Sequence, residues 1–94
     1  MKYYEWNEKK NEWLKQERGI SFEEAIIAIN EKRILAILHN PNTHKYPGQM
    51  VFVINIFDYA YLVPFVEDGD YVFLKTVYPS RKHTKIYIEK GENV

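Results

Sequence analysis

Residues 50–66 read MVFVINIFDYAYLVPFV, an apolar run broken only by Asn55, Asp58 and Pro64. The run is too short for a comfortable bilayer span, and Asp58 would lie near its centre, where a charge is costly in lipid. β-Branched and aromatic residues dominate it, which favours strand over helix. In a strand, Val51, Val53 and Phe57 share one face, while Phe52, Ile54 and Ile56 share the other. Both faces are therefore apolar, and both need cover. The expected turn is Asp58-Tyr59, giving a buried hairpin of residues 50–57 against residues 60–66.

The cover comes first from upstream. Tyr3, Tyr4 and Trp6 suit a short opening strand, Asn7 suits a helix N-cap, and Gly19 suits a helix stop. Between them the polar segment 8–18 has few apolar anchors, and the indoles of Trp6 and Trp13, with Leu14, are expected to dock it on the sheet. The next helix has stronger signals. Ser21 and Glu24 form a capping box, with Ile20 and Ala25 at the staple positions. Phe22, Ala25, Ile26 and Ile29 then follow the spacing of one buried helix face. The expected core joins these four to Phe52, Ile54, Ile56 and Leu62. Asn30 or Lys32 ends the helix. Residues 34–38 suit a strand, and Pro41, Pro47 and Gly48 break up the loop that follows.

Downstream of the hairpin, Asp68-Gly69 marks a turn and residues 71–77 suit another strand. Pro79 stops it, and Ser80 caps a final segment, residues 81–90. That segment reads as a short basic helix, with a strand as the alternative because of Ile86-Tyr87-Ile88. Helices followed by strands indicate a single α+β domain over residues 1–94, with two N-terminal helices on an antiparallel sheet.

Composition narrows the function. Thirteen basic and thirteen acidic side chains give a net charge of zero, so nucleic-acid binding would need a local patch rather than a basic whole. There is no cysteine, which excludes disulfides and thiolate zinc sites. With no secretory apolar segment at the amino terminus, a cytoplasmic location is expected. No phosphate-binding Gly loop, serine-nucleophile constellation or dinucleotide motif is present.

Several segments taken together resemble one family. Glu5-Trp6-Asn7, Lys10 and Arg18-Gly19-Ile20-Ser21-Phe22-Glu23-Glu24-Ala25 are similar to the start of BrnT-type toxins, with Arg18 where that family has a histidine. Ser80-Arg81-Lys82-His83-Thr84 resembles the family's basic segment near the carboxyl end, and Tyr87 matches a tyrosine that closes that helix. Tyr46-Pro47-Gly48-Gln49 and Asp58-Tyr59-Ala60-Tyr61-Leu62-Val63-Pro64-Phe65 resemble a divergent branch. The resemblance implies the toxin of a type II toxin–antitoxin pair, a RelE-like fold and metal-independent cleavage of RNA. It also implies a cognate antitoxin as partner, with oligomers only in its company, no membrane and no cofactor.

Cleaving RNA without a metal needs a base for the ribose 2′-hydroxyl, a cation for the phosphorane and an acid for the 5′-oxygen. Lys75, Arg81, Lys82, His83 and Lys85 are the densest basic set in the chain. Arg81 offers a planar fork for phosphate, and His83 titrates in the useful range. The expected catalytic set is Arg81, Lys75, His83, Lys82 and Tyr87, with Arg81 foremost. The alternative is a solvated helix face. Lys85, His39, His44 and Lys45 are the expected RNA contacts. His39 and His44 are five apart with no carboxylate between them, which suits loop residues better than metal ligands. Tyr59, Tyr61, Tyr71, Tyr78 and Tyr87 suit base stacking or, more commonly, packing. Glu23 and Glu24, in a first helical turn, suit capping rather than catalysis. A different class of function, a non-catalytic interaction module on the same fold, accounts for the neutral charge and scarcity of arginine.

Overall fold

The computed structural model describes residues 2–42, 44–45 and 47–89; Tyr46 and Lys90, which figure in the expectations above, lie outside them. The elements run β1 (Tyr3–Glu5), α1 (Glu8–Glu17), α2 (Phe22–Asn30), β2 (Ile34–His39), β3 (Met50–Ile56), β4 (Tyr59–Asp68), β5 (Tyr71–Leu74), β6 (Tyr78–Pro79) and α3 (Arg81–Thr84). A wider π-helical turn, Lys85–Glu89, continues α3. The fold is α+β. The strands lie in the order β1-β5-β4-β3-β2, and β6 pairs with β4.

The expected antiparallel sheet is in fact mixed, because β1 runs parallel to β5. All other pairs are antiparallel. No hairpin joins β1 to β5, so no local turn dictates the direction in which they pair. One edge of β4 takes β3 along most of its length, while β5 and β6 divide the other. Pro64 sits at that division. Its carbonyl accepts the Lys75 N–H at 2.8 Å. The N–H and C=O of an extended residue point to the same side, so the N–H that proline lacks would also point into the division. Proline is tolerated in this central strand because no ladder bond is lost.

Both faces of the hairpin are covered. On one, Phe52, Ile54, Ile56, Val63 and Phe65 pack with Leu14, Ile20, Phe22, Ala25, Ala28 and Ile29 from the two N-terminal helices and their connection. Ile26 is half-buried against the same cluster. On the other, Val51, Val53, Ala60 and Leu62 pack with Ile88 of the C-terminal helix. Leu62 was expected beneath α2, but it pairs with Val53 and so shares Val53's face. Val63, paired with Phe52, takes the expected place.

The turn also differs by one residue. Phe57 and Asp58 form it, with φ of 54° and 61°, and Phe57 is 88% exposed rather than on a strand face. Two positive φ values are what a two-residue primed hairpin turn requires. The Asn55 side chain steadies it by accepting the Asp58 N–H at 2.9 Å.

Near α1, Trp13 does not dock. It is 41% exposed, with Lys10 4.2 Å and Arg18 4.8 Å from its ring centre. Asn11 docks instead and is fully buried. Its Nδ2 donates to Glu23 at 2.7 Å and its Oδ1 accepts the Phe22 N–H at 2.8 Å, tying α1 to the start of α2. The Asn11 bond is the main cause of the lowered Glu23 pKa. Ser21 caps α2 by accepting the Glu24 N–H at 3.2 Å.

Two stability changes follow. Ile54 is wholly buried, so Ile54→Ala should cost about 2–5 kcal/mol in a urea melt. Replacing Phe57-Asp58 with Asn-Gly relieves left-handed strain and should raise stability by about 1–2 kcal/mol in the same assay.

Candidate functional site

The basic segment lies on a helix whose inner side is fixed by the sheet. Thr84 and Ile88, one turn apart, are buried against β3 and β4. The Thr84 hydroxyl accepts the Ala60 N–H at 2.8 Å and donates to the Ser80 carbonyl at 2.8 Å. The Ser80 N–H in turn donates to the Ala60 carbonyl at 2.9 Å. Ala60 is thus held through both backbone groups, which sets the rotation of the helix. His83 and Tyr87 fall at its margin, and Arg81, Lys82 and Lys85 fall outside.

Ser80 also orients His83. Its Oγ accepts the His83 backbone N–H at 3.2 Å and lies 2.6 Å from Nδ1 of the ring. Tyr87 stacks against the imidazole, with ring centres 6.2 Å apart and planes 12° from parallel. Ser80 occupies Nδ1, so exchange of a proton with a ligand falls to Nε2. Burial, and then the charge of Lys82, lower the His83 pKa.

Beside this helix lies an open groove of about 580 Å³, lined by Leu38, His39, Asn40, Pro41, Val51, Leu62, Tyr78, Lys82 and His83. A second groove of about 500 Å³ shares Asn40, Val51 and Tyr78 with it and adds Gln49, Pro64, Lys75 and Thr76. The first gathers two imidazoles and a lysine over a floor of Val51 and Leu62. The second adds another lysine across Tyr78.

The expected site residues are therefore divided. Lys82, His83 and His39 come together, Lys75 adjoins them, and Tyr87 backs His83. Arg81 and Lys85 are exposed and line neither groove, and neither do His44 and Lys45, farther along the loop. The Lys45 N–H donates to the Asn42 side chain at 3.1 Å. Tyr78, one of the tyrosines considered for base stacking, lines both grooves, whereas Asn40 and Ser80 are absent from the expected site. A cap at Ser80 is readable, but its second contact, to a histidine three residues on, is visible only once the ring is placed. Among the described residues, no group of three or more His, Asp or Glu is placed to hold a metal ion. No described helix is long and apolar enough to cross a membrane. Set beside known proteins, the chain matches no family model, no curated protein and no solved structure.

The lowered His83 pKa has a sign that can be tested. The unfolded chain binds this proton more readily than the folded one, so stability is full above the unfolded value of about 6.5 and falls as pH drops through it toward the folded pKa. Between about pH 7.5 and about pH 5, the melting temperature of the wild type should fall more than that of His83→Gln. Equal slopes for the two proteins would show that this histidine does not titrate below the ordinary range.

Proposed function

We infer that the chain is a metal-independent endoribonuclease acting as the toxin of a toxin–antitoxin pair, with the groove beside α3 as its site. The observation that carries this is the meeting of His39, His83 and Lys82 in one groove, with Lys75 next to it. His83, kept neutral by its lowered pKa, suits the base that takes the 2′-hydroxyl proton. The 2′-oxygen then attacks the adjacent phosphorus, and the bond to the 5′-oxygen breaks. His39, in the same groove, suits the acid that protonates the departing oxygen. The products would be a 2′,3′-cyclic phosphate and a 5′-hydroxyl. Lys82 and Lys75 suit the stabilisation of charge building on the phosphorane. Arg81, at the exposed start of α3, suits an incoming phosphate more than the reacting one. A cognate antitoxin would act by covering this groove.

A second function class, a protein-interaction module without catalysis, is favoured by one specific observation. The groove floor is aliphatic and its cations are few, on a chain of zero net charge.

Purified protein incubated with labelled RNA and chelator separates the two. Cleavage ending in cyclic phosphate is expected. His83→Ala should lower it ~10²-fold or more, the usual cost of losing a positioned acid or base, and Arg81→Ala should lower it less. Intact RNA after incubation with folded wild type would remove the nuclease and leave the interaction module.

A further inference from the structure

The face of the sheet that carries the C-terminal helix is covered over β3 and the first half of β4. Its other half, formed by β1, β5 and the end of β4, stands open. Register puts Tyr3 opposite Tyr71, Glu5 opposite Phe73, Phe73 opposite Val66 and Tyr71 opposite Asp68. Directly opposed residues share a face, so these six side chains form one surface. Tyr3 and Tyr71 are each 51% exposed, with ring centres 5.5 Å apart. A shallow groove of about 400 Å³ is lined by Glu5, Val66, Asp68, Tyr71 and Phe73.

The charges on this surface are specific. Lys2 pairs with Glu67 at 2.7 Å on the rim. Glu5 and Asp68 have no ion pair or hydrogen bond from any described side chain, although both line the groove. The Phe73 ring beside them already receives a cation, the Lys75 ammonium that also borders the second groove: its Nζ lies 5.1 Å from the ring centre.

We propose that this open half-sheet docks an arginine side chain presented by a partner protein. A guanidinium is planar and weakly hydrated, so it stacks on a tyrosine face while its N–H fork meets carboxylates at the edge. Tyr71 and Tyr3 supply the faces, and Asp68 and Glu5 supply the acceptors. Two unpaired carboxylates against the single cation of Lys75 leave this surface net acidic, which disfavours a phosphate backbone. Its occupant is protein rather than nucleic acid, and it stands whether or not the chain cleaves RNA.

The test is an amide NMR titration of the full chain with a short capped peptide bearing one arginine between leucines. Matched peptides carry lysine, neutral citrulline or glutamate in its place. The arginine peptide should shift the amides of Tyr3, Glu5, Asp68 and Tyr71, and the citrulline and glutamate peptides should not. Asp68→Asn and Glu5→Gln, whose spectra also report that they fold, should each weaken binding about tenfold, as expected for loss of one charge-assisted contact. Tyr71→Leu should weaken it while keeping an apolar surface. The proposal is overturned by absent shifts, by citrulline or lysine binding as tightly as arginine, or by shifts centred on Lys82 and His83. Shifts of these same amides by a single-stranded oligonucleotide would overturn it as well.

Discussion

The hydroxyl of Thr84 accepting the N–H of Ala60 is a small interaction on which the candidate site depends. Ala60 lies on an edge of β4 where strand pairing is brief, and its backbone groups are buried. An unpaired buried N–H costs about 1–3 kcal/mol, so the sheet needs a partner there. Thr84 and Ser80 supply it from the start of the C-terminal helix. Because the same two residues also bond each other, the helix has one rotation that satisfies all three groups. That rotation turns Lys82 and His83 toward the groove and Arg81 away from its lining. The chemistry open to the basic segment is thus decided by a threonine that carries no charge.

Asn11 has the corresponding role on the opposite face. A single amide, fully buried, closes the junction between α1 and α2 by donating to Glu23 and accepting from Phe22. The apolar packing of α1 is meagre, with Leu14 its one buried hydrophobe. Such a helix needs a directional bond to hold its position, and Asn11 provides two. Nearby, Trp6 stacks on Phe22 with ring centres 5.7 Å apart, and its buried Nε1 has no hydrogen-bond partner.

Much of this was legible in the residues. The apolar hairpin, burial on both its faces, the Ser21 and Ser80 caps and the helix after Ser80 all depend on local spacing, which a sequence displays directly. The misreadings are of another kind. Grouping Leu62 with Phe52 overlooks the pairing across the hairpin. Leu62 belongs with Val53 whether the two-residue turn falls at 57–58 or at 58–59, because moving such a turn by one residue shifts the register by two and leaves every face unchanged. The direction of β1 depends on a pairing between distant parts of the chain. Trp13 looked like an anchor because indoles usually are, yet Lys10 and Arg18 flank it at the surface. Within the site, the basic cluster was visible, but its division was not. Helical phase relative to the sheet separates Lys82 and His83 from Arg81 and Lys85, and buried Thr84 sets that phase. His39 joined His83 because β2 lies beside β3, a neighbour relation that no motif encodes.

The outer strand β2 has a consequence for how the protein behaves in a crowded solution. Among the described residues its far side has no strand partner, and Ile37 is half exposed within an apolar run. Such an edge is a template on which foreign strands can grow. The register with β3 slips between Ile34 and Ala36, where two steps on β2 oppose one on β3. An irregularity of this kind bends the strand and interrupts its outward row of N–H and C=O groups. Lys32, exposed just before it, adds charge to any approaching edge, while Arg33 is paired with Glu31 at 2.9 Å. What looks like a defect in the ladder therefore works as a guard against fibre growth, shortening the template without removing a residue from the core.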